Sequence, residues 1–411
     1  MAFILDNSNT ISMHEKIHRR SGHVAVLYKD WMIVWGGYVD HVQETPTSLI
    51  TSAYHNTEEL WIYNCSKEIW ERVLTKGDFP PSNSGSCGVV HGDYLYIFGG
   101  FHGVDEPGSM DGNSNQLYQL NLITKRWIWL HPVGNQPAPC DKLAGWQYLD
   151  KLYFFGGFGP KPEYGAPFQH IVDPSTEATG WPRGWNNQLV IYNPATNEWE
   201  WPRIRGPAPA PRAAHAADIT GSKAFIFGGR IGNNRINELH CLDLEKMCWS
   251  GNSSHNNFFL YISVLLNAHI FVFSNYTNEY RDSKTRRDMS AQIFLRQQFA
   301  LTRLVDLNPE GRSWHSFTFI RDTRAVVYGG LNQFNTVLND CWLLELYGDG
   351  LDVEWKELVL PYDHGEPRCA HTACVKDGEL LIHSGSTQPY YETRLKLKDH
   401  AEELLVINFT P

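Results

Sequence analysis

The chain has 411 residues, of which 42% are hydrophobic, 13% aromatic and only 19% charged, with 34 Gly, 22 Pro and 15 Trp. That mixture suits short strands joined by tight loops and argues against a protein of long helices. A formal net charge of −10 excludes a general attraction to nucleic acid or to anionic lipid, and leaves room only for a local cationic site.

The N-terminus, 1–20, has no basic stretch leading into an apolar one, so no secretory leader is read there. The eight cysteines contain no CxxC pair and are read as small buried residues, which fits a reducing compartment, the nucleus and/or the cytoplasm. Without a leader, the sequons at Asn64, Asn252, Asn275 and Asn408 are chance matches. From there a repeat runs through the sequence. Apolar runs end in Gly-Gly five times: Trp31–Trp35 before Gly36, Tyr94–Phe98 before Gly99, Leu152–Phe155 before Gly156, Ala224–Phe227 before Gly228, and Ala325–Tyr328 before Gly329. A sixth run, Leu380–His383, is followed by a decayed doublet, Ser384-Gly385. The five doublets are spaced by 63, 57, 72 and 101 residues. Between doublets a second apolar run leads to a tryptophan: Trp70, Trp127, Trp199, Trp249 and Trp355. Four units open on Arg-x-x-His: Arg20–His23, Arg212–His215, Arg312–His315 and Arg368–His371.

A unit of four short strands cannot bury both faces alone, but stacking such sheets around an axis buries them and leaves only short edges. The repeat therefore predicts an all-β fold, a kelch-type β-propeller of about six four-stranded blades. The glycines let the backbone leave the second strand sharply. The tryptophans are expected to pack between blades, and the histidines of the recurring Arg-x-x-His to make a repeated structural hydrogen bond rather than four active sites. Residues 1–19 form an N-terminal segment, in which 11–17 offers a strand to close the last blade. Residues 20–251 hold blades one to four and 303–411 the remaining blades. The stretch 252–302 breaks both period and composition and reads as an atypical insertion, either a loop or a gene-model artefact. Its apolar part, Phe258–Phe273, is short for a membrane span.

In an antiparallel meander the start of the first strand and the end of the second lie on the same face. That face also carries the longest loops, such as 158–187, and long loops on a rigid scaffold commonly carry function. Arg230 directly follows one Gly-Gly, with Arg235 five residues on. Phe158 follows another. Ser313 and Trp314 lie in Arg312-Ser-Trp-His315, Lys142 takes the place of an Arg-x-x-His element, and Trp185 sits in Pro182-Arg-Gly-Trp-Asn186. Two arginines, a lysine, a serine and aromatic walls make an anion pocket, because guanidinium forks bind carboxylates bidentately and aromatic walls desolvate the site. The free carboxyl terminus of a polypeptide is one natural ligand. Each residue alone has a plainer reading, as a surface charge or a loop anchor.

Several of these segments carry a family likeness. Arg20-Ser-Gly-His-Val-Ala-Val26, Pro182-Arg-Gly-Trp-Asn186, Phe227-Gly-Gly-Arg230, Gly311-Arg-Ser-Trp-His-Ser316 and His371-Thr-Ala-Cys374 together resemble the family of kelch domain-containing proteins 2 and 1, over nearly the whole sequence outside the insertion. That family consists of substrate receptors of cullin-2 RING ubiquitin ligases, which bind a C-terminal degron, typically ending in Gly-Gly. The resemblance implies that Arg230, Arg235 and Ser313 hold the terminal carboxylate, and that Lys142, Trp185 and Trp314 shape the pocket around the last residues. It implies elongin and cullin-2 as partners beside the substrate proteins. Three departures stand out. Phe158 replaces the family's usual Tyr. The last blade reads Arg368-Cys-Ala-His371 where an aromatic tends to precede the His. The elongin- and cullin-binding box expected after the propeller is not read before the sequence ends at Pro411.

No catalysis, cofactor or metal is expected. The histidines show no HExxH pairing, no G-x-S-x-G elbow occurs, and the Glu345/Asp349 start of an iron-site pattern continues into Val353 instead of His. The expectation is a substrate-recognition subunit. The alternative is a non-catalytic kelch scaffold that binds an internal peptide or protein surface without recruiting a ligase.

Overall fold

The computed structural model describes residues 17–43, 49–102, 112–163, 165–250, 308–348, 352–360, 365–387 and 404–409. Six sheets stand around one axis. Their innermost strands are Val24–Tyr28, Cys87–His91, Ala144–Tyr148, Ala216–Thr220, Ser316–Arg321 and Thr372–Lys376, each packed beside the next, and the last beside the first. Every blade continues antiparallel into the apolar run before the glycines, then a third strand, then in blades one to five a fourth. Blade six is described as three strands, Thr372–Lys376, Glu379–His383 and Leu405–Asn408. The insertion 252–302 lies outside the described residues, as does the closing strand expected at 11–17 except for its last residue. Ile17 is buried at the seam of blades six and one, against Met32, Trp61, Cys374 and Leu381.

The sequence repeat becomes a repeated node at five of the six seams. The residue just before the glycines meets the fourth-strand tryptophan of the following blade. Trp127 packs on Trp35, Trp199 on Phe98, Trp249 on Phe155, Trp355 on Phe227 and Trp70 on His383, with ring centroids 4.9–5.6 Å apart. The same residue meets the next blade's histidine edge-on, as in Phe155–His215 and Phe227–His315. These are the large contact areas and offset ring geometries that hold neighbouring sheets together.

The histidines also explain the glycines. A Cβ on Gly228 would lie 2.6 Å from His315 Cε1 and 2.8 Å from the Arg312 carbonyl oxygen, and its φ of +67° is already one that L side chains disfavour. A Cβ on Gly229 would sit 2.9 Å from the Cβ of His215, in its own blade. Burial of these imidazoles pushes His215, His371 and His383 down to about 3, so the seams hold them neutral.

The recurring hydrogen bonds of Arg-x-x-His are made by its arginines and not, as the repeat suggested, by its histidines: among the described residues neither ring nitrogen of His215 or His315 has a hydrogen-bond partner, because these rings pack edge-on against apolar side chains at the seams. Each arginine Nε donates to the carbonyl two residues upstream, and each Nη1 donates to a carbonyl at its own blade's doublet: Arg20 to Gly36, Arg212 to Gly228, Arg312 to Gly329 and Arg368 to Ser384. The last blade keeps this geometry despite its Cys-Ala spacing. Two closed rings of backbone hydrogen bonds complete the stitching. In one, the second residue of each doublet donates to the next blade's Arg position at 2.8–3.0 Å, ending with Gly385 to Arg20. In the other, Gly22, Gly85, Lys142, Ala214, Trp314 and Ala370 each donate to the counterpart in the preceding blade at 2.7–3.2 Å, closing with Gly22 to Ala370. A propeller whose last blade ends in register with its first has no open seam at this level.

Candidate functional site

The second ring is the floor of a bowl of about 460 Å³ at one end of the axis. Each blade contributes equivalent positions to it. One is the residue of the ring, in left-handed backbone conformation. Another is the residue just after the glycines, which pairs with the residue preceding the ring. Four ring residues are Gly or Ala. Lys142 (φ 58°) and Trp314 (φ 60°) are the exceptions, and both line the bowl. A bulky side chain in this conformation is strained, so the fold tolerates these two against local preference. The positions after the glycines are Tyr38, Phe101, Phe158, Arg230, Leu331 and Ser386, and all six line the bowl.

The connections after the second strands rise above this floor as small sheets. In blade four a tight hairpin sets Arg230 directly opposite Arg235. Like charges paired across a ladder repel, and among the described residues no carboxylate lies within ion-pair distance of Arg230. Arg230 Nε donates to Gly232 O at 2.7 Å, and its guanidinium lies 5.7 Å from the Trp185 ring centre. Arg235 Nε donates to Ser313 Oγ at 3.0 Å, and its backbone N–H to Gln333 Oε1 at 2.7 Å. In blade three Phe158 pairs with Trp185 in a short ladder, rings edge to face at 5.3 Å.

Six of the seven residues expected from sequence line this bowl: Arg230, Arg235, Lys142, Trp185, Trp314 and Phe158. Ser313 is fully buried behind Arg235 and reaches the bowl through that guanidinium. Lys142 is not a lone cation, since its ammonium pairs with the buried Asp141 carboxylate beside it, which also accepts from Asn113. Its Nζ lies 5.3 Å from the Phe158 ring centre and 5.9 Å from that of Trp314.

Sequence reasoning passed over two parts of the wall. Arg183, inside the quoted Pro-Arg-Gly-Trp-Asn motif, lies over Phe101 and Phe158 at 4.9 and 5.1 Å and donates from Nη2 to Asn113 Oδ1 at 2.7 Å. Its Nε is buried without a hydrogen-bond partner among the described residues. The second part is the blade-one hairpin, Tyr38–Gln43 with Leu49–Tyr54. Applying the rule that picked Phe158 and Arg230 to every doublet would have named Tyr38. Among the described residues no carboxylate lies within ion-pair distance of Arg183 or Arg230, whereas Arg212 and Arg312 pair with Glu238 and Asp340. Among the described residues no cluster of His, Cys, Asp or Glu is arranged to hold a metal, and no helix is long and apolar enough to cross a membrane.

A ring of six kelch-type blades with a cationic, aromatic-walled bowl at one end is the architecture of a kelch-type propeller. Residues 22–257 match the KLHDC2/KLHL20/DRC7 Kelch-repeats domain, and residues 180–408 match the Attractin/LZTR1 beta-propeller. The protein is 32% identical over 407 residues to Kelch domain-containing protein 1 of Mus musculus, covering 95% of this sequence and 81% of that protein. It is 31% identical over 401 residues to Kelch domain-containing protein 2 of Bos taurus, with the same coverage of 95% and 81%. A solved structure titled "Structure of YjhT" shares the fold, with a TM-score of 0.55 at 12% identity over 96% of this protein and 97% of that one. The protein belongs to the KLHDC2/KLHL20/DRC7 kelch-repeat family, a family of protein-binding propellers.

Proposed function

We propose that the bowl captures the free C-terminus of a partner protein, with Arg230 and Arg235 on the terminal carboxylate and small residues, Gly-Gly-like, at the end of the ligand. One observation carries this reading. Two arginines pair across one hairpin and both line the bowl, and among the described residues Arg230 has no carboxylate partner. A bound anion is favoured by the like charge of the two, and a planar carboxylate fits two guanidinium forks. Ser313 orients Arg235, while Trp185 and Phe158 exclude water and strengthen the charge-assisted bonds. Lys142 and Trp314 rise from the floor beneath the last residues, which leaves little room for side chains there and favours glycine. Arg183 adds a third guanidinium to the same wall.

In the same reading the protein is a non-catalytic substrate receptor that presents the captured polypeptide to an elongin–cullin-2 RING ubiquitin ligase in the nucleus or cytoplasm. The support for that step is the resemblance of the pocket motifs to those of kelch domain-containing proteins 2 and 1.

Titration with a short peptide ending in free Gly-Gly, its C-amidated twin, and the Arg230→Ala/Arg235→Ala double variant tests the pocket. The expected result is binding to the free end alone, lost in the variant. Equal binding of free and amidated peptides, or no binding, overturns it. Co-precipitation from cells for elongin and cullin-2 tests the ligase step. Their absence beside a captured C-terminus leaves a binding scaffold that recruits no ligase.

A further inference from the structure

The wall of the bowl opposite the arginines has the opposite chemistry. In a ring of six, blade one stands across the axis from blade four. Its hairpin pairs Tyr38 with Tyr54 and Asp40 with Ser52. Strand side chains alternate between faces, so these four share one face, and all four line the bowl. Val39 and Ala53 take the other face. Asp40 is 7% exposed and lines the cavity; its Oδ1 accepts from Ser52 Oγ at 2.7 Å. The two tyrosine rings stand 6.2 Å apart at 46° beside it. A largely desolvated carboxylate with two tyrosine rings beside it favours a cation over a neutral or anionic group.

We propose that this hairpin is a cation subsite of the bowl, and that its preferred ligands are C-terminal segments carrying a lysine or arginine a few residues before the end. The inference rests on the terminal-carboxylate reading of the arginine wall, which sets the ligand's direction. A sphere of the bowl's volume, 460 Å³, is about 10 Å across. An extended peptide advances roughly 3.3–3.6 Å per residue, so a carboxylate held at blade four brings about the third or fourth residue from the end to blade one. The bowl is thus bipolar and reads a negative end together with a positive side chain upstream.

The test is a fluorescence-anisotropy titration of the full-length protein with peptides ending in free Gly-Gly. They carry Lys, Gln or Glu walked through the third to fifth positions from the end, each with an amidated control. At one of these positions Lys binds about tenfold more tightly than Glu, with Gln between, and the ratio shrinks as salt is raised. In Asp40→Asn the Lys-to-Glu ratio falls toward one. Because the comparison is first made in the unaltered protein, it stands even if that variant folds poorly. Free-ended peptides that bind with no Lys preference at any position overturn the cation subsite and leave the carboxylate pocket intact. A preference that persists in a folded Asp40→Asn protein also overturns it. Free and amidated ends that bind alike, or no binding at all, remove both readings together.

Discussion

Two sets of arginines in this molecule do opposite work. Arg212 and Arg312 are fully buried in the seams, spend their donors on carbonyls, and pair with Glu238 and Asp340. Arg230 and Arg235 stand on a two-residue ladder at the bowl, paired across it. The first set recurs at equivalent places around the ring, because every seam poses the same problem of satisfying buried carbonyls. The second occurs in one blade, because a ligand site needs no symmetry. In a repeat protein, recurrence therefore points to structure, and a residue that departs from the repeat at an equivalent position points to function. Lys142 and Trp314, the two bulky residues in a ring otherwise of Gly and Ala, follow the same rule.

The largest effect separating the two regions is acid stability. His215, His371 and His383 are held by burial near 3 in the fold, against about 6.5 in an unfolded polypeptide. A depressed imidazole means the unfolded state binds more protons below pH 6.5. Stability is therefore complete above that pH and lost as pH falls from about 6.5 toward 3, by roughly 1.4 kcal/mol per pH unit for each histidine. Glu238, drawn down to about 2 by His240 and Arg212, adds a loss in the same direction below its ordinary range. Asp218, raised by burial to about 6, opposes it as a single group. Urea melts from pH 7.5 to 4 should show a steep fall in stability. A flat profile would mean the seams do not hold their histidines neutral.

Next in size is the arginine pair itself. Arg312→Ala takes the ion-pair partner from the half-buried Asp340 carboxylate and the donors from the Gly329 and Glu310 carbonyls, and should cost about 3–5 kcal/mol in denaturant unfolding. Arg230→Ala should change stability by no more than about 0.5 kcal/mol, yet weaken binding of a free C-terminal peptide by roughly tenfold or more, the usual scale for a charge-assisted bond. If both variants lose stability alike, the division between seam and bowl fails.

The glycines sharpen the same contrast. Gly228→Ala drives a methyl into His315 and the Arg312 carbonyl at a seam, and should cost about 2–4 kcal/mol. Gly232, in the turn between the two bowl arginines, also has positive φ (+57°), but nothing lies within 4 Å of its missing Cβ. Gly232→Ala should cost only the backbone term, about 1–2 kcal/mol. Thermal melts of the two side by side separate contact from conformation.

Much of this was legible in the residues alone. Gly-Gly and the following tryptophans mark the blades, since both are forced by packing that the seams repeat. Strand direction placed Arg230, Phe158, Lys142 and Trp314 on one face. What escaped has identifiable causes. The role of Ser313 depends on the depth of its side chain, and periodicity does not encode depth. The pairing of Lys142 was visible in its neighbour Asp141, but adjacency in sequence does not say that two side chains turn toward each other. The blade-one hairpin lies far in sequence from the middle-blade cluster, although Tyr38-Val39-Asp40 and Ser52-Ala53-Tyr54 alternate as a half-buried ribbon should. The two hydrogen-bonded rings are made of backbone, so sequence registers them only as small residues where left-handed φ is needed.

The smallest effect tests a single atom. Phe158 lies against Trp185 and between Lys142 and Arg183, with its ring on the bowl and no polar tip. In Phe158→Tyr the ring keeps its packing and gains a hydroxyl beside two cations and a bound peptide end. If the hydroxyl reaches the ligand, it adds one hydrogen bond, about 0.5–1.5 kcal/mol or roughly two- to tenfold in affinity. Isothermal titration with the free-ended peptide reads that gain, and the melt should stay within about 0.5 kcal/mol because the seams are untouched. A gain seen equally with the amidated peptide would place the new bond on the ligand's backbone, away from its carboxylate. A loss of affinity would mean that Phe158 keeps this wall dry and that desolvation of the arginines outweighs an added donor.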